Sequence, residues 1–513
     1  MDVRNLMRRS ARFFRDREAV VADGRRLSFG EAWERGLRLA NGLLAQGLEP
    51  GDRVGVIEEN SLGASDFLLA CTAANLVRVP LYPRNSRESH AHMLEQTGCR
   101  ALVASESYAH EVKGLESELS ALERLLVRDA DYETFLAAQS AEDPDPVVRE
   151  DDYYIIRHTA GTTGKSKGVA YTHRSWLAVA RDWFYGYPPV EIGDAALHLG
   201  PISHGSGYFF TPLWLGGGRN VLLPSFDPAQ AVDVMESERI GFLFTVPTIL
   251  NGLARERSAA GRDWSALKTL CVGGSPIAEA TARRALEVFG MVVYQVFGQT
   301  EALPATHISP QEWLSQVEGS NPLRSAGRPC PYVDLEILDP ETQEVLPPGE
   351  EGEIAVRCDG QMFDFWNNPE ATAERVVDGW VLSGDIGKLD RNGYLYILDR
   401  KDDMIISGGF NIYPAELENV IAEHPEVIEA AVFPVPHERW GESPAAVCVV
   451  EPGAEVSEAD IMQLCAERLG SYKKPSKVEI TTAPLPKSPV GKVLRKQLRE
   501  PHWGEGERRV SGN

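Results

Sequence analysis

Cysteine is scarce and unpatterned in this chain. Seven cysteines fall in 513 residues, at positions 71, 99, 271, 330, 358, 448 and 465. No CxxC pair occurs and no Cys/His spacing suits zinc, which excludes a disulfide scaffold or zinc module and points to a reducing compartment. Long apolar runs are also missing. None approaches the roughly 18 residues that span a bilayer, so no integral membrane association is expected. Met1 to Arg17 is rich in arginine but has no continuous apolar stretch of the signal-peptide kind. The expected location is cytoplasmic. Positive charge is in deficit, with 52 Lys and Arg against 75 Asp and Glu and a net charge of -23. Such a surface repels nucleic acid and anionic membranes. Any polyphosphate site must therefore be built locally, against the global field.

What remains is an ordinary globular composition, 43% hydrophobic and 25% charged. At about 100–200 residues per domain, the length calls for two to four structural units. Short apolar runs read as strands: Arg53 to Ile57, Ala101 to Ala104, Tyr153 to Ile156, Ala196 to Leu199 and Asn220 to Leu223. Phe242 to Val246, Leu270 to Val272 and Val292 to Val296 read the same way. Helical patterns such as Ala278 to Phe289 lie between many of them, which predicts an α/β fold with helix-covered sheets. No internal repeat is visible. After about residue 330 the strands crowd together. Beyond the charged run Asp399 to Asp403 comes a compact unit: a helix from Pro414, strands Glu429 to Phe433 and Ala445 to Val450, a helix Ser457 to Leu469, and a strand Lys477 to Ile480. The predicted division is a large domain over 1–399, a hinge at 400–402 and a small domain over 403–513.

The most informative segment is Thr159-Ala-Gly-Thr-Thr-Gly-Lys-Ser-Lys-Gly168, directly after a predicted strand. Glycines let a backbone approach a ligand closely. Hydroxyls and loop N–H groups hold phosphate oxygens, and Lys165 and Lys167 add charge. A Walker A loop needs glycine five positions before Gly164, and Thr159 stands there, so a P-loop NTPase or kinase is rejected. Spacing alone supports a phosphate-binding loop and nothing narrower.

The segment resembles the signature loop of the adenylate-forming superfamily, which includes acyl-CoA synthetases, adenylation domains and luciferases. It departs from that pattern at Ala160 and at Ser166, where proline is usual. Further motifs follow in the family's order. Gly273-Gly-Ser-Pro276 is similar to its adenine-side turn, and Phe297-Gly-Gln-Thr-Glu301 to its [YF]-G-x-T-E motif. Ser383-Gly-Asp385 resembles its ribose motif, Asp399 to Pro414 its hinge and glycine-rich segment, and Pro486 to Val493 its catalytic-lysine motif. The resemblance covers essentially the whole chain. It implies a large N-terminal domain of helix-covered sheets with a small β-barrel-like part, and a small mobile α+β C-terminal domain.

The resemblance also assigns roles. Thr159, Thr162, Thr163, Gly164, Lys165 and Lys167 would hold the ATP phosphates. Gly274 and Ser275 would belong to the adenine-side turn, Phe297 would lie against the adenine, and Gln295, Val296 and Gly298 would also bind the nucleotide cofactor. Thr300 would touch phosphate and Glu301 would hold Mg²⁺. Asp385 and Arg400 would bind the ribose. Lys492 would bridge the attacking carboxylate and the α-phosphate. Asp402 would be the hinge on which the small domain swings between two poses, one delivering Lys492 and the other the Gly408-Gly409 face.

On the acyl side, His204 matches the family's gate beside the reacting carboxylate. Amino-acid-activating members place Asp just after it. This chain has Gly205, which argues against α-amino acids. Trp183, Phe184, Tyr208 and Val296 are the expected pocket, and Asp182 adds polarity if it points inward. A branched residue at Val296 narrows the pocket toward an aryl or short-to-medium acyl group. Phe410, Trp440-Gly441 and Lys473-Lys474 favour coenzyme A as acceptor. The resemblance thus implies an acid–CoA ligase using ATP, Mg²⁺ and coenzyme A. Its partners are a small carboxylic acid, coenzyme A or a carrier protein, and a homodimer is admitted. The competing readings are loading of a carrier-protein phosphopantetheine, a luciferase-like oxygenase, and a non-catalytic nucleotide- or acyl-binding protein.

Overall fold

A computed structural model describes residues 1–83, 85–159, 166–275, 277, 279–400, 403–407, 410–470, 473–487 and 493–503. The expected strands form with shifts of a few residues at their ends, because each short Val/Ile/Leu run is buried on both faces in a parallel sheet. Two such sheets face each other. One has nine strands, with Ala195–His198, Phe242–Thr245, Thr269–Val272 and Val293–Gln299 parallel in its middle. The other has seven, with Arg53–Ile57, Val77–Pro80 and Tyr153–His158 among its parallel members.

A single apolar cluster fills the space between the sheets. It contains Leu39, Leu43, Phe67, Leu69 and Cys71 from two packed helices, Phe29–Ala45 and Leu62–Ala74. The helix His173–Gly186 starts where Thr172 ends the strand Gly168–Thr172 and caps it reciprocally with Ser175. Such a box is worth about 1 kcal/mol and fixes where the helix begins, hence which of its side chains face inward.

After residue 330 the chain folds as the strand crowding anticipates. Val333–Leu338, Gly352–Cys358, Trp380–Leu389 and Leu395–Arg400 join one antiparallel sheet. The last segment is a separate five-stranded sheet with its own core of Ile405, Leu417, Ile421, Val432, Ala446, Ile461 and Cys465. All seven cysteines are free thiols. Burial pushes Cys99 and Cys271 up to about 12, so both stay protonated and unreactive. No helix among the described residues is long and apolar enough to cross a membrane.

Candidate active site

The strand Tyr153–His158 turns back as Gly168–Thr172, pairing His158 with Gly168. The Thr159 N–H donates to the Lys167 carbonyl at 3.0 Å, which closes the neck of the phosphate loop. Ser166, the residue that replaces proline, donates its hydroxyl to the Thr159 carbonyl and ties the same neck. Lys167 is exposed, with Nζ 5.2 Å above the Phe365 ring. Thr162, Thr163, Gly164 and Lys165 lie outside the described residues.

Beside the strand Gly168–Thr172, Val293–Gln299 ends in a tight reversal, Thr300-Glu301, before the antiparallel strand Ala302–Ile308. The reversal is anchored to the other sheet. Tyr171 donates its hydroxyl to the Thr300 carbonyl, and the Met362 N–H donates to the Glu301 carbonyl at 2.7 Å. Glu301 is only 5% exposed, and Arg375 donates to it at 3.1 Å. Among the described residues no cluster of three His, Cys, Asp or Glu could hold a metal. Glu301 supplies the kind of single carboxylate oxygen donor that, with phosphate oxygens, suits Mg²⁺.

The ribose candidates form one layer beside that reversal. Asp385 and Arg400 are register partners on neighbouring strands, with Arg400 Nε 2.7 Å from the carboxylate. Gln299 donates its amide to Asp385 and, at 2.7 Å, to the Ser383 carbonyl. A carboxylate offers about four lone-pair positions, so Asp385 can still accept from ribose hydroxyls. Gly274 and Ser275 lie exposed just past the strand Thr269–Val272, at the C-terminal edge where ligands of open α/β sheets collect. Gln295 and Phe297 are half-buried, and Phe297 also packs on the apolar cluster around Ala302 and Ala305. Gly298 follows it in the same strand.

The acyl candidates divide. His204 is 6% exposed, its ring tilted by 33° against that of Tyr82 at 3.9 Å between ring centroids, with Ser203 Oγ 2.8 Å from Nδ1. Burial, reinforced by the nearby Arg157 cation, drives its imidazole well below the usual histidine range, so it is neutral. A short helical turn follows it. There a Cβ on Gly207 would sit 1.7 Å from the Ile202 carbonyl oxygen, so only glycine permits the turn. Trp183 stacks on Tyr208 at 5.5 Å and lies within 6.1 Å of Phe244, forming an aromatic wall beside His204's loop. Val296 is buried against Gly273, whose added Cβ would meet Val296 Cγ1 at 2.7 Å. Phe184 does not join them. It lines an outer groove with Leu177 and Tyr185, because residues adjacent on a helix point about 100° apart. Asp182 is buried, with Arg181 at 2.9 Å from one oxygen.

Three further residues around the site carry no motif and were invisible in the sequence. Asn60 donates to the His198 and Gly200 carbonyls and accepts from Ile202 N–H, which holds the His204 loop. Arg375 pairs Glu301, and Arg157 reaches Tyr208.

In the small domain, Trp440 is 44% exposed under the Arg439 guanidinium. Lys474 is exposed, whereas Lys473 is spent on an ion pair with Glu416. Lys487 and Val493 pair as an antiparallel bridge on either side of residues 488–492. Lys492, Asp402, Gly408 and Gly409 lie outside the described residues.

A closed neck under a hydroxyl- and glycine-rich segment, a buried carboxylate, an Asp–Arg ion pair of the ribose-binding kind and a separate aromatic wall fit an enzyme that handles a nucleotide beside an organic substrate. The chain belongs to the AMP-binding enzyme family: residues 7–366 match its main model and residues 416–492 match the AMP-binding enzyme C-terminal domain. Curated relatives are similar end to end. A feruloyl-CoA synthase from Amycolatopsis sp. is 36% identical over 495 residues, covering 96% of this chain and 97% of the relative. A fatty acid–[acyl-carrier-protein] ligase, ScoC, from Streptomyces coeruleorubidus is 33% identical over 502 residues, covering 96% and 95%. Among solved structures, ATP-bound MatB from Rhodopseudomonas palustris superposes with a TM-score of 0.88 at 29% identity, covering 98% of this chain and 99% of that one. The o-succinylbenzoate CoA synthetase of Bacillus subtilis, in complex with its acyl-adenylate intermediate, gives 0.87 at 27% identity, covering 97% and 98%.

Proposed function

We propose that the chain is an AMP-forming acid–CoA ligase acting on an aryl or short-to-medium-chain carboxylic acid. The observation that carries this reading is the nearness of Glu301, a buried carboxylate suited to a magnesium ion carrying phosphate, to the His204–Tyr82 contact on the acyl side, close enough for Glu301 to act electrostatically on Tyr82. In the first half-reaction a carboxylate oxygen attacks the α-phosphorus of ATP, the bond to the β-phosphate bridge breaks, and pyrophosphate leaves. In the second, the thiol sulfur of coenzyme A attacks the acyl carbon, its proton goes to solvent, and AMP leaves.

The difficulty of the first step is electrostatic. Two unit charges about 4 Å apart repel by roughly 4 kcal/mol at an effective dielectric near 20. Catalysis is therefore mostly positioning and charge neutralisation. Thr159, Thr162, Thr163, Lys165 and Lys167 hold the phosphates, and Lys492 bridges carboxylate and α-phosphate. Glu301 holds magnesium, which neutralises phosphate charge when bound. Asp385 and Arg400 orient the ribose. Trp440, Lys474 and the Gly408-Gly409 face serve the coenzyme A arm, and the residues around 400–402 act as hinge between residues 1–399 and 403–513.

The aromatic wall of Trp183 and Tyr208 and the bulk of Val296 support the acid class, and the feruloyl-CoA synthase relative agrees with an aryl acid. A second reading, loading of a carrier-protein phosphopantetheine, is favoured by the ScoC relative. A pyrophosphate-release panel over benzoate, cinnamate, butanoate, hexanoate and phenylalanine, with and without coenzyme A, separates them. The proposal expects acid-dependent release, an acyl-CoA product and no response to phenylalanine. Release without acid dependence defeats it, and acid-dependent release without acyl-CoA favours the carrier protein.

A further inference from the structure

Arg157 is a buried cation with no carboxylate counter-ion among the described residues. It is 5% exposed, near the end of the strand Tyr153–His158, on the face that looks into the inter-sheet space. Its Nη1 donates to the Tyr208 hydroxyl, and its guanidinium lies 4.9 Å from the centre of the Tyr208 ring. Its Nε is buried and meets no acceptor. Among the described residues no carboxylate forms an ion pair with it. A buried cation without an anion is a large desolvation cost, and folds keep one only when something else compensates it.

A second unmet group lies nearby. His204 Nε2 is also buried without a partner. The neutral ring carries one proton. In the tautomer in which the Ser203 hydroxyl donates to Nδ1, Nε2 carries that proton and is a donor toward an incoming anion. The two residues feel each other electrostatically, and Tyr82, whose ring packs against His204, is pushed up to about 12 by burial with Arg157 opposing. The Tyr82 hydroxyl is already committed to the His158 carbonyl at 2.6 Å, so it does not fill the gap. Two unpartnered buried nitrogens, one of them on a cation, thus border the acyl wall built by Tyr208 and Trp183.

We propose that Arg157 and His204 Nε2 together receive the carboxylate of the acid substrate before adenylation, with Arg157 as its counter-ion. The inference rests on the acid–CoA ligase reading and adds to it a residue that selects an ionised acid over its neutral analogue. Once the acyl-adenylate forms, the carboxylate charge is gone. The pairing with Arg157 is then lost, which favours the acid over the adenylate at this position.

The test compares wild type with Arg157→Met and Arg157→Lys. ATP–pyrophosphate exchange is measured with benzoate, cinnamate, butanoate and hexanoate, and the thermal shift with each acid is compared with that of its carboxamide. In Arg157→Met the KM for the acid should rise about 10- to 100-fold while that for ATP stays within about twofold, the scale of one lost charge-assisted hydrogen bond. Wild type should bind each acid over its amide, Arg157→Met should lose that preference, and Arg157→Lys should regain part of it. Without ligand, Arg157→Met should melt no lower than wild type, because it removes an uncompensated buried charge. Equal rises in both KM values with a lowered melting point assign Arg157 a structural role and overturn the proposal. So does an unchanged acid KM, or a defect confined to added succinate or glutarate. No exchange in wild type with any acid defeats the ligase reading and this inference together, whereas normal wild-type exchange with an unaffected variant defeats the inference alone.

Discussion

Asp385 and Arg400 face each other across two antiparallel strands, joined at 2.7 Å, and Gln299 reaches the same carboxylate from the strand that leads to Glu301. The pair couples the candidate ribose site to Arg400, the first residue of the proposed hinge. Arg400 is followed by residues 401 and 402, and Asp399 accepts the Ala415 N–H of the small domain's first helix at 3.0 Å.

Asp385→Ala should raise the KM for ATP by about 10- to 100-fold, the worth of hydrogen bonds to a charged acceptor. The decisive comparison is with 2′-deoxy- and 3′-deoxy-ATP. Wild type should lose affinity for at least one of them, and the variant should be indifferent to the same deletion. Steady-state kinetics with the three nucleotides check this.

Val296→Ala should enlarge the pocket at a cost of about 2 kcal/mol in stability, from lost burial and the cavity left behind. Relative kcat/KM should move roughly tenfold toward a bulkier acid such as 4-phenylbenzoate over benzoate. Gly205→Asp should not create an amino-acid site, because its Cβ would lie 2.8 Å from Phe244 Cε1. Exchange assays with phenylalanine should stay silent in that variant.

Acidification should destabilise the fold below pH 6.5. Burial lowers His158 to about 3 and His173 and His198 to about 4, and holds His204 well below its ordinary value. Between those values and 6.5 the unfolded chain binds protons that the folded chain refuses, so stability falls as pH falls, by up to about 1.4 kcal/mol per unit for each histidine. Glu58 and Asp399 act the other way. Burial raises each to about 7, so the folded chain holds their protons between about pH 4 and 7, and the loss is shallower than the histidines alone would give. Scanning calorimetry at pH 7.5, 6.5 and 5.5 should show a falling melting temperature. A rising one contradicts the assignment of neutral buried histidines.

Asp402→Pro should slow thioester formation while sparing adenylation, since proline restricts φ at the residue on which the small domain is expected to turn. Single-turnover measurement of pyrophosphate release and of acyl-CoA formation separates the two steps. Equal impairment of both removes Asp402 from the hinge.

The sheets were legible because their strands are short, uniformly apolar and bounded by turn residues, as in Phe242–Thr245 and Thr269–Val272. The ordered motifs were legible because glycines and hydroxyls at fixed spacing have few structural uses together. Arg157, Asn60 and Arg375 were not. Each acts through a partner 51 to 142 residues away in sequence, and no local pattern marks such a meeting. Trp183 and Phe184 show the same limit: adjacent aromatics on one helix read alike, and only packing sends one inward and the other to an outer groove.

The central claim is that the acid's own oxygen becomes bound to the α-phosphorus. The acid that performs best in the exchange assay, prepared with both carboxylate oxygens as ¹⁸O, is turned over with ATP and coenzyme A, and the products are weighed by mass spectrometry. The account predicts one ¹⁸O in AMP and none in pyrophosphate. Label in inorganic phosphate or pyrophosphate, or unlabelled AMP beside labelled acyl product, contradicts it.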